Sequence, residues 1–437
     1  MTPTRRSEQN PYFVLALLFG LNLMNFFDRA ILSAVTEPVR REWGLRDTEI
    51  GWLGTAFTLV YAIAGLPLGR LADRSSRKWL LAIGIAAWSL LTAASGFSTG
   101  FWSLFVARIG VGIGEASCAP AANSLIGDLF GPRHRGRAIS IFMLGLPVGL
   151  CLSYLITGPV AHHYGWRTPF YLASMPGLLL AVLILTVREP ERGAQEAESP
   201  VPIAPVLGYR ASLKALLGMP AMWWIIASGV FYNFNFYALG SFLTALMMRR
   251  YGLGLQAANG VSAIVLGAMT AVGMLAGGWA ADRAHRWRGE GRLLLAGTAL
   301  LGTALFMFLG LGRPAGATTA FIALIGMGMM FYSFYYGPVY ATIQDLVEPQ
   351  RRGTAMALYF FGMYVLGASF GPLGTGVLSD HFARRAMQAA GAAVLSEGHR
   401  ATGLHNAMYV IPVLALLAAG TLFAAARAVS RRCNSNW

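Results

Sequence analysis

The sequence predicts an all-α membrane protein of twelve transmembrane helices, arranged as two pseudo-symmetric halves of six. Three observations carry that prediction. Of the 437 residues 56% are hydrophobic and only 12% charged, with a mean hydropathy of +0.54, far outside the soluble norm. Apolar runs recur from end to end, each long enough for a hydrocarbon core about 30 Å thick, which takes roughly 20 helical residues to cross. Two loop motifs also return six spans apart. The runs are helices because lipid offers no partner to an unpaired backbone group.

In chain order the expected spans are 12–35, 49–71, 79–96, 101–127, 138–161, 168–187, 221–248, 258–281, 293–312, 317–344, 354–378 and 404–427. One long polar break, 188–220, carries Arg188, Glu189, Glu191, Arg192, Glu196 and Glu198 among prolines and divides the spans six and six. It reads as a linker between a bundle at 1–187 and a bundle at 221–437. The first apolar run follows Arg5 and Arg6 without a small-residue cleavage site and is read as retained.

The formal charge of +15 comes from 34 basic residues scattered through short connections. Such scatter is a topology signal and argues against a nucleic-acid partner. With the N-terminus inside, more than twice as many Lys and Arg fall on that side as on the other. A cell inner membrane protein with both termini and the linker in the cytoplasm is therefore expected. Inner clusters at Arg70, Arg74, Arg77 and Lys78, at Arg133, Arg135 and Arg137, and at Arg283, Arg286, Arg288 and Arg292 are placed to meet anionic headgroups of membrane lipids.

Cys118, Cys151 and Cys433 give neither a disulfide framework nor metal-ligand spacing. His162, His163, His381, His399 and His405 fall in outer connections and His134 and His285 in inner ones, so all seven are expected at the surface. No catalytic nucleophile, Walker loop or metal site is present, so an enzyme is not expected, nor a metal or bound cofactor.

The repeat is explicit. Gly69-Arg-Leu-Ala-Asp73-Arg74 after span two returns as Gly278-Trp-Ala-Ala-Asp282-Arg283 after span eight, and Asp128-Leu-Phe-Gly-Pro132 after span four returns as Asp345-Leu-Val-Glu-Pro349 after span ten. Gly158-Pro159 and Gly371-Pro372 form a third pair, where a lost backbone donor and a flexible residue let the fifth and eleventh spans bend.

Polar residues inside the spans mark a candidate site. In span one Asn22, Asn25 and Arg29 stand at i, i+3 and i+7, with Asp28 three after Asn25, which makes a polar stripe on an apolar helix. In span four Arg108-Ile-Gly-Val-Gly-Ile-Gly-Glu115 puts Arg108 and Glu115 on one face about 10 Å apart, while the alternating glycines allow close helix packing. An uncompensated charge at mid-bilayer costs roughly 2.5–3.5 kcal/mol even on lenient scales, so these four charges read as functional. They sum to zero, and all lie in the first half. The facing spans of the second half carry Phe231-Tyr-Asn-Phe-Asn-Phe-Tyr237 and Phe331-Tyr-Ser-Phe-Tyr-Tyr336, with Tyr332, Tyr336 and Tyr340 at i, i+4 and i+8. These aromatic runs suit either an acyl tail or helix packing.

The loop Gly69-Arg-Leu-Ala-Asp-Arg-Ser-Ser-Arg-Lys78 resembles the signature loop of the major facilitator superfamily, with Ser76 where that pattern has glycine. Gly69 would let helix ends approach, while Asp73 with Arg74, Arg77 and Lys78 would form an ion-pair cluster that holds the inner face closed, with Asp282 and Arg283 in the repeated position. The fourth-span motif around Arg108 resembles the one that the superfamily links to proton coupling. Asn25-Phe-Phe-Asp-Arg29, Gly114-Glu-Ala-Ser117 and Asp128-Leu-Phe130 resemble the Spinster branch.

That resemblance implies the twelve-helix major facilitator fold and a monomeric secondary active transporter working by alternating access. Its cargo would be a lysophospholipid or similar amphiphilic lipid, and its energy source a proton gradient with no other cofactor. Asp28, Glu115 and Arg108 would carry proton coupling. Arg29, Arg108, Asn25, Asn233, Asn235, Tyr332 and Tyr336 would bind substrate. Two other readings stand beside it. One is a major facilitator symporter or antiporter for a small organic anion, with Arg29 and Arg108 as a carboxylate clamp. The other is a lipid receptor or scramblase that works without proton coupling.

Overall fold

A computed structural model describes residues 9–192, 209–348 and 351–434. The middle of the linker, with Glu196 and Glu198, and the N-terminal Arg5 and Arg6 lie outside the described residues, as does the side chain of Cys433. All twelve spans form. The first half comprises Pro11–Ala34, Asp47–Arg74, Arg77–Gly96, Phe101–Glu115 continued by Cys118–Leu129, Pro132–Met143 continued by Gly145–Tyr164, and Thr168–Ile184. The second comprises Pro220–Tyr251, Leu255–Trp287, Gly291–Leu311, Thr318–Tyr332 continued by Tyr336–Leu346, Arg352–Ala389, and Glu397–Ala407 continued by Val410–Asn434. Among the described residues ten are long and apolar enough to cross a membrane by composition. Of the other two, span six has 17 residues, and span seven carries Asn233 and Asn235 at its middle.

Apolar side chains such as Phe97, Trp102, Met175 and Leu275 point outward, as a lipid solvent requires. Two short helices were not expected. Thr36–Trp43 prolongs span one beyond its outer end, and Tyr209–Leu217 lies inside the stretch read as linker, anchored by the buried Leu216 and by the Trp223 indole donating to the Leu217 carbonyl at 2.8 Å.

We call the face at which the described chain begins and ends the inner face. The halves meet chiefly near the outer face, through spans two and eleven and through spans five and eight. Glycine makes the first contact possible. A Cβ on Gly51 would stand 2.6 Å from the Pro372 carbonyl oxygen, and one on Gly376 only 2.2 Å from that of Asp47, so the backbones touch where any larger residue would part them. The inner portions of spans four and five, Cys118–Leu129 and Pro132–Met143, make their main packing contacts within the first half. The space between the halves therefore opens inward.

Two segments depart from α-helix geometry. Ala263–Ala268 in span eight and Met363–Ala368 in span eleven are π-helical, and in the latter the Ser369 N–H reaches five residues back to the Tyr364 carbonyl at 3.0 Å. Such bulges re-aim side chains and concentrate at working sites. The second one carries Tyr364.

Candidate functional site

Spans one and four bring the four expected charges into one buried patch. Close approach comes from the span-four glycines: a Cβ on Gly112 would stand 2.8 Å from the Phe57 carbonyl oxygen, and one on Gly114 the same distance from Trp88 Cβ. Arg29 Nε pairs with Glu115 Oε2 at 2.7 Å, where Glu115 is the last residue before the break in span four. The direct pair thus joins Arg29 to Glu115 and not to its chain neighbour Asp28. One carboxylate takes the direct ion pair, because Arg29 reaches across to the helix turn that ends at Glu115. Asp28 has no ion pair among the described residues and accepts a long hydrogen bond from the Thr92 hydroxyl, 3.4 Å from Oδ2.

Arg108 makes no ion pair among the described residues. Its guanidinium lies 4.6 Å from the Phe57 ring centroid and within electrostatic reach of both carboxylates. Arg29 is held over Tyr61 at 4.3 Å and Phe26 at 4.9 Å. Asn25 Nδ2, Asp28 Oδ1, Arg29 Nη2, Trp88 Nε1, Arg108 Nε and Glu115 Oε1 are all buried without a protein partner. Polar atoms so rarely stay unpaired that a patch of six marks a place built to exchange partners.

The second half supplies a phenolic wall. Tyr237 OH lies 3.5 Å from Arg29 Nη1, the Tyr61 and Tyr364 rings face each other across the halves at 5.5 Å, and Tyr336 donates to Asn233 Oδ1 at 3.2 Å. Tyr61 and Tyr364 escaped the sequence reading, since a single tyrosine in an apolar run carries no pattern. Phe26, Arg29, Ser33, Tyr154 and Tyr237 border a small cavity of about 60 Å³ between spans one, five and seven.

Two expected ligands are elsewhere. Asn235 donates to the Ile411 carbonyl at 2.9 Å and so ties span seven to span twelve. Tyr332 stacks on Tyr232 at 4.0 Å and donates to the Tyr232 carbonyl within the second bundle. Helix periodicity turns both away from Arg29, leaving Asn233 and Tyr336 on the facing wall. Asn25 is buried beside the charges.

The expected latch is not assembled. Asp73 and Arg74 are exposed and Lys78 is half-buried, and Asp73 makes no ion pair among the described residues. Arg77 turns inward instead, bonding Asp128 and reaching Glu189 at 2.7 Å, all inside the first half. Burial alone would push the Glu189 carboxyl up, but hydrogen bonds from Ser76 and Arg77 hold it at about 2. The repeat reproduces this brace in the second half as Arg292 with Asp345 at 2.5 Å. Asp282 and Arg283 are exposed, with Arg283 over Trp287 at 5.2 Å. A Cβ on Gly69 would stand 4.0 Å from the Pro120 ring on the neighbouring helix. With the inner face open, the loops have no opposite half to grip.

The closing contacts are on the outer face, among residues the sequence reading passed over. Arg249, at the end of span seven, reaches Glu37 at 2.7 Å and forks onto both oxygens of Asp47 at 2.8 Å. Arg40 adds Glu37 and Glu397, each at 2.7 Å. Asp380 accepts from the Thr48 backbone and hydroxyl at 2.9 and 2.6 Å, and Ser379 donates to Asp47 at 2.6 Å. Burial pushes the Glu37 carboxyl up, but Arg40 and Arg249 overcome it and hold it at about 2. His405 is buried rather than exposed, its ring Nε2 2.8 Å from the Leu311 carbonyl, because the outer part of span twelve packs into the bundle as a helix.

Residues 18–372 match the Major Facilitator Superfamily, and human protein spinster homolog 1 is 33% identical over 392 residues, covering 85% of this chain and 73% of that protein. The chain is a Spinster-like member of the major facilitator superfamily. An MFS-type efflux pump of Mycolicibacterium smegmatis is 29% identical over 380 residues, 86% of each chain. A crystal structure of a bacterial homolog to the human lysosomal transporter Spinster, inward-facing and unoccupied, superposes with a TM-score of 0.83 at 26% identity over 97% of this chain and 98% of that one. This Spinster-like protein is thus a multi-pass transporter rather than an enzyme, and the inward opening described above matches the state of that homolog.

Proposed function

We propose that this protein is a proton-coupled secondary transporter that moves a lysophospholipid or similar amphiphilic anion by alternating access. The observation that carries the reading is the division of the central site. A charged patch on spans one and four, with unpaired polar atoms on Asp28, Arg29 and Arg108, faces a wall of Tyr237, Tyr336 and Tyr364. A headgroup fits the first and a tail the second.

Asp28 carries the coupling step in this reading, because it is the carboxylate without a direct ion pair, and its charge follows which face admits water. Arg108 balances it, Arg29 meets the headgroup phosphate, and Glu115 holds Arg29 in place. Asn25, Asn233 and Tyr336 complete the pocket. The energy source is the proton gradient, with no other cofactor. The transporter works as a monomer in the inner membrane, both termini and the linker on the cytoplasmic side, as the basic-residue bias supports.

The test is transport in reconstituted vesicles. A pH gradient is expected to drive accumulation of fluorescent lysophospholipid, and collapsing the gradient should stop it. Movement that is indifferent to the gradient would point to a scramblase. Accumulation of a small carboxylate in place of the lipid would point to an organic-anion carrier.

A further inference from the structure

On the inner face, away from the central site, the start of span seven, the end of span twelve and the two residues after the linker helix border an open cleft of about 770 Å³. That lies within the roughly 300–1,000 Å³ of ordinary ligand sites. Ala221, Ala424 and Ala428 give it a smooth apolar floor, Trp224 forms one side, and Arg427 and Arg431 stand along another. No acidic residue lines it among the described residues.

The two arginines are the informative feature. They sit one turn apart on Val410–Asn434, and neither makes an ion pair or side-chain hydrogen bond among the described residues. Like charges at i, i+4 repel, so this arrangement gains from an anion between them. Guanidinium forks match phosphate oxygens in pairs. Trp223 and Trp224, 53% and 44% exposed at the start of span seven, sit where aromatic rings mark a membrane interface. Charge, apolar floor and depth together describe one kind of occupant, whose phosphate lies at headgroup level and whose glycerol and chain bases lie on alanines.

We propose that this pocket holds the headgroup of an acidic phospholipid of the inner leaflet, gripped between Arg427 and Arg431. The lipid is a resident rather than cargo, because the residues that line the pocket lie at the start of span seven and the end of span twelve and include none of the central-site residues. It fastens span twelve to the start of span seven, the span that carries Tyr237 to the central site.

Native mass spectrometry of the purified full chain tests this with phosphatidylglycerol and phosphatidylcholine. Wild type is expected to retain one phosphatidylglycerol that Arg427→Gln/Arg431→Gln binds roughly 30-fold more weakly, since each basic residue near the surface contributes about fivefold. Arg286→Gln/Arg288→Gln removes the same charge from another inner connection and is expected to retain the lipid. Both doublets change exposed side chains, and matching melting curves verify their folding. Equal retention by the Arg427/Arg431 variant, equal loss in the control variant, equal retention of phosphatidylcholine, or displacement of the lipid by millimolar inorganic phosphate would each overturn the proposal.

Discussion

The outer and inner faces of this transporter use the same residue types in opposite ways. At the outer face Arg249 of the second half is buried against Glu37 and Asp47 of the first, so the ion pairs join the halves. At the inner face Arg77 and Arg292 pair with Asp128 and Asp345 of their own halves, so the ion pairs stiffen each bundle and leave the bundles free to part. A buried charge that loses its partner is strongly penalised, which makes the outer network a lock. An exposed charge such as Asp73 loses little when unpaired, which is why the inner loops can lie open.

The largest effect is expected for Arg249→Ala, which leaves Asp47 buried without its cation, cuts the link from Glu37 to the second half while Arg40 still pairs with it, and weakens the closed outer face by about 3–5 kcal/mol. Spin labels at His163 and Val394, both exposed on the outer side, report it in a background free of native cysteines. The distance distribution should move to longer values, while labels at Arg74 and Arg283 should move closer. Unchanged distributions would show that the lock does not set the state.

Acidification sharpens the comparison further. Because Glu37 is held at about 2, below its ordinary 4.5, its contribution to closure is present above that ordinary value and is lost only as pH falls toward 2. Outer distances should therefore be constant from about pH 8 to pH 5. Opening within that window would move proton sensing to the outer face.

Smaller effects separate brace from latch. Arg77→Ala is expected to lower stability by about 1–3 kcal/mol, the penalty for stranding hydrogen-bonded partners, without changing the inner distances. Asp73→Asn should leave the melting temperature within about 2 °C of wild type. A loss as large as that of Arg77→Ala would restore Asp73 to a direct role in this state.

The parts of the site that were legible in the sequence are those that break the rules of a lipid-buried helix. Asp28, Arg29, Arg108 and Glu115 stand out because charge in an apolar run is penalised whatever its partners, and the repeated loops reveal the two halves. The choice of partner was not legible. Whether Arg29 meets Asp28 or Glu115 depends on a helix crossing, and whether Asn235 lines a cavity or ties span twelve depends on helix rotation, which apolar neighbours on all sides do not fix. The outer lock was hidden for another reason. Glu37, Asp47 and Arg249 lie at span ends, where charges are usually solvated, and only the approach of two segments some 200 positions apart, Arg249 being 202 from Asp47, makes them a buried cluster. Tyr364 owes its place facing Tyr61 to a π-helical segment that no residue pattern announces.

In the proposed mechanism the group that responds to protons is Asp28, and not Glu37 of the outer lock. Asp28→Asn keeps the shape and removes the titration, so the most direct measurement is lysophospholipid uptake into vesicles reconstituted with this variant, with and without an imposed pH gradient. The expected result is a folded protein with wild-type outer distances that still binds lipid and no longer accumulates it. Accumulation by that variant with the wild-type dependence on the gradient would contradict it.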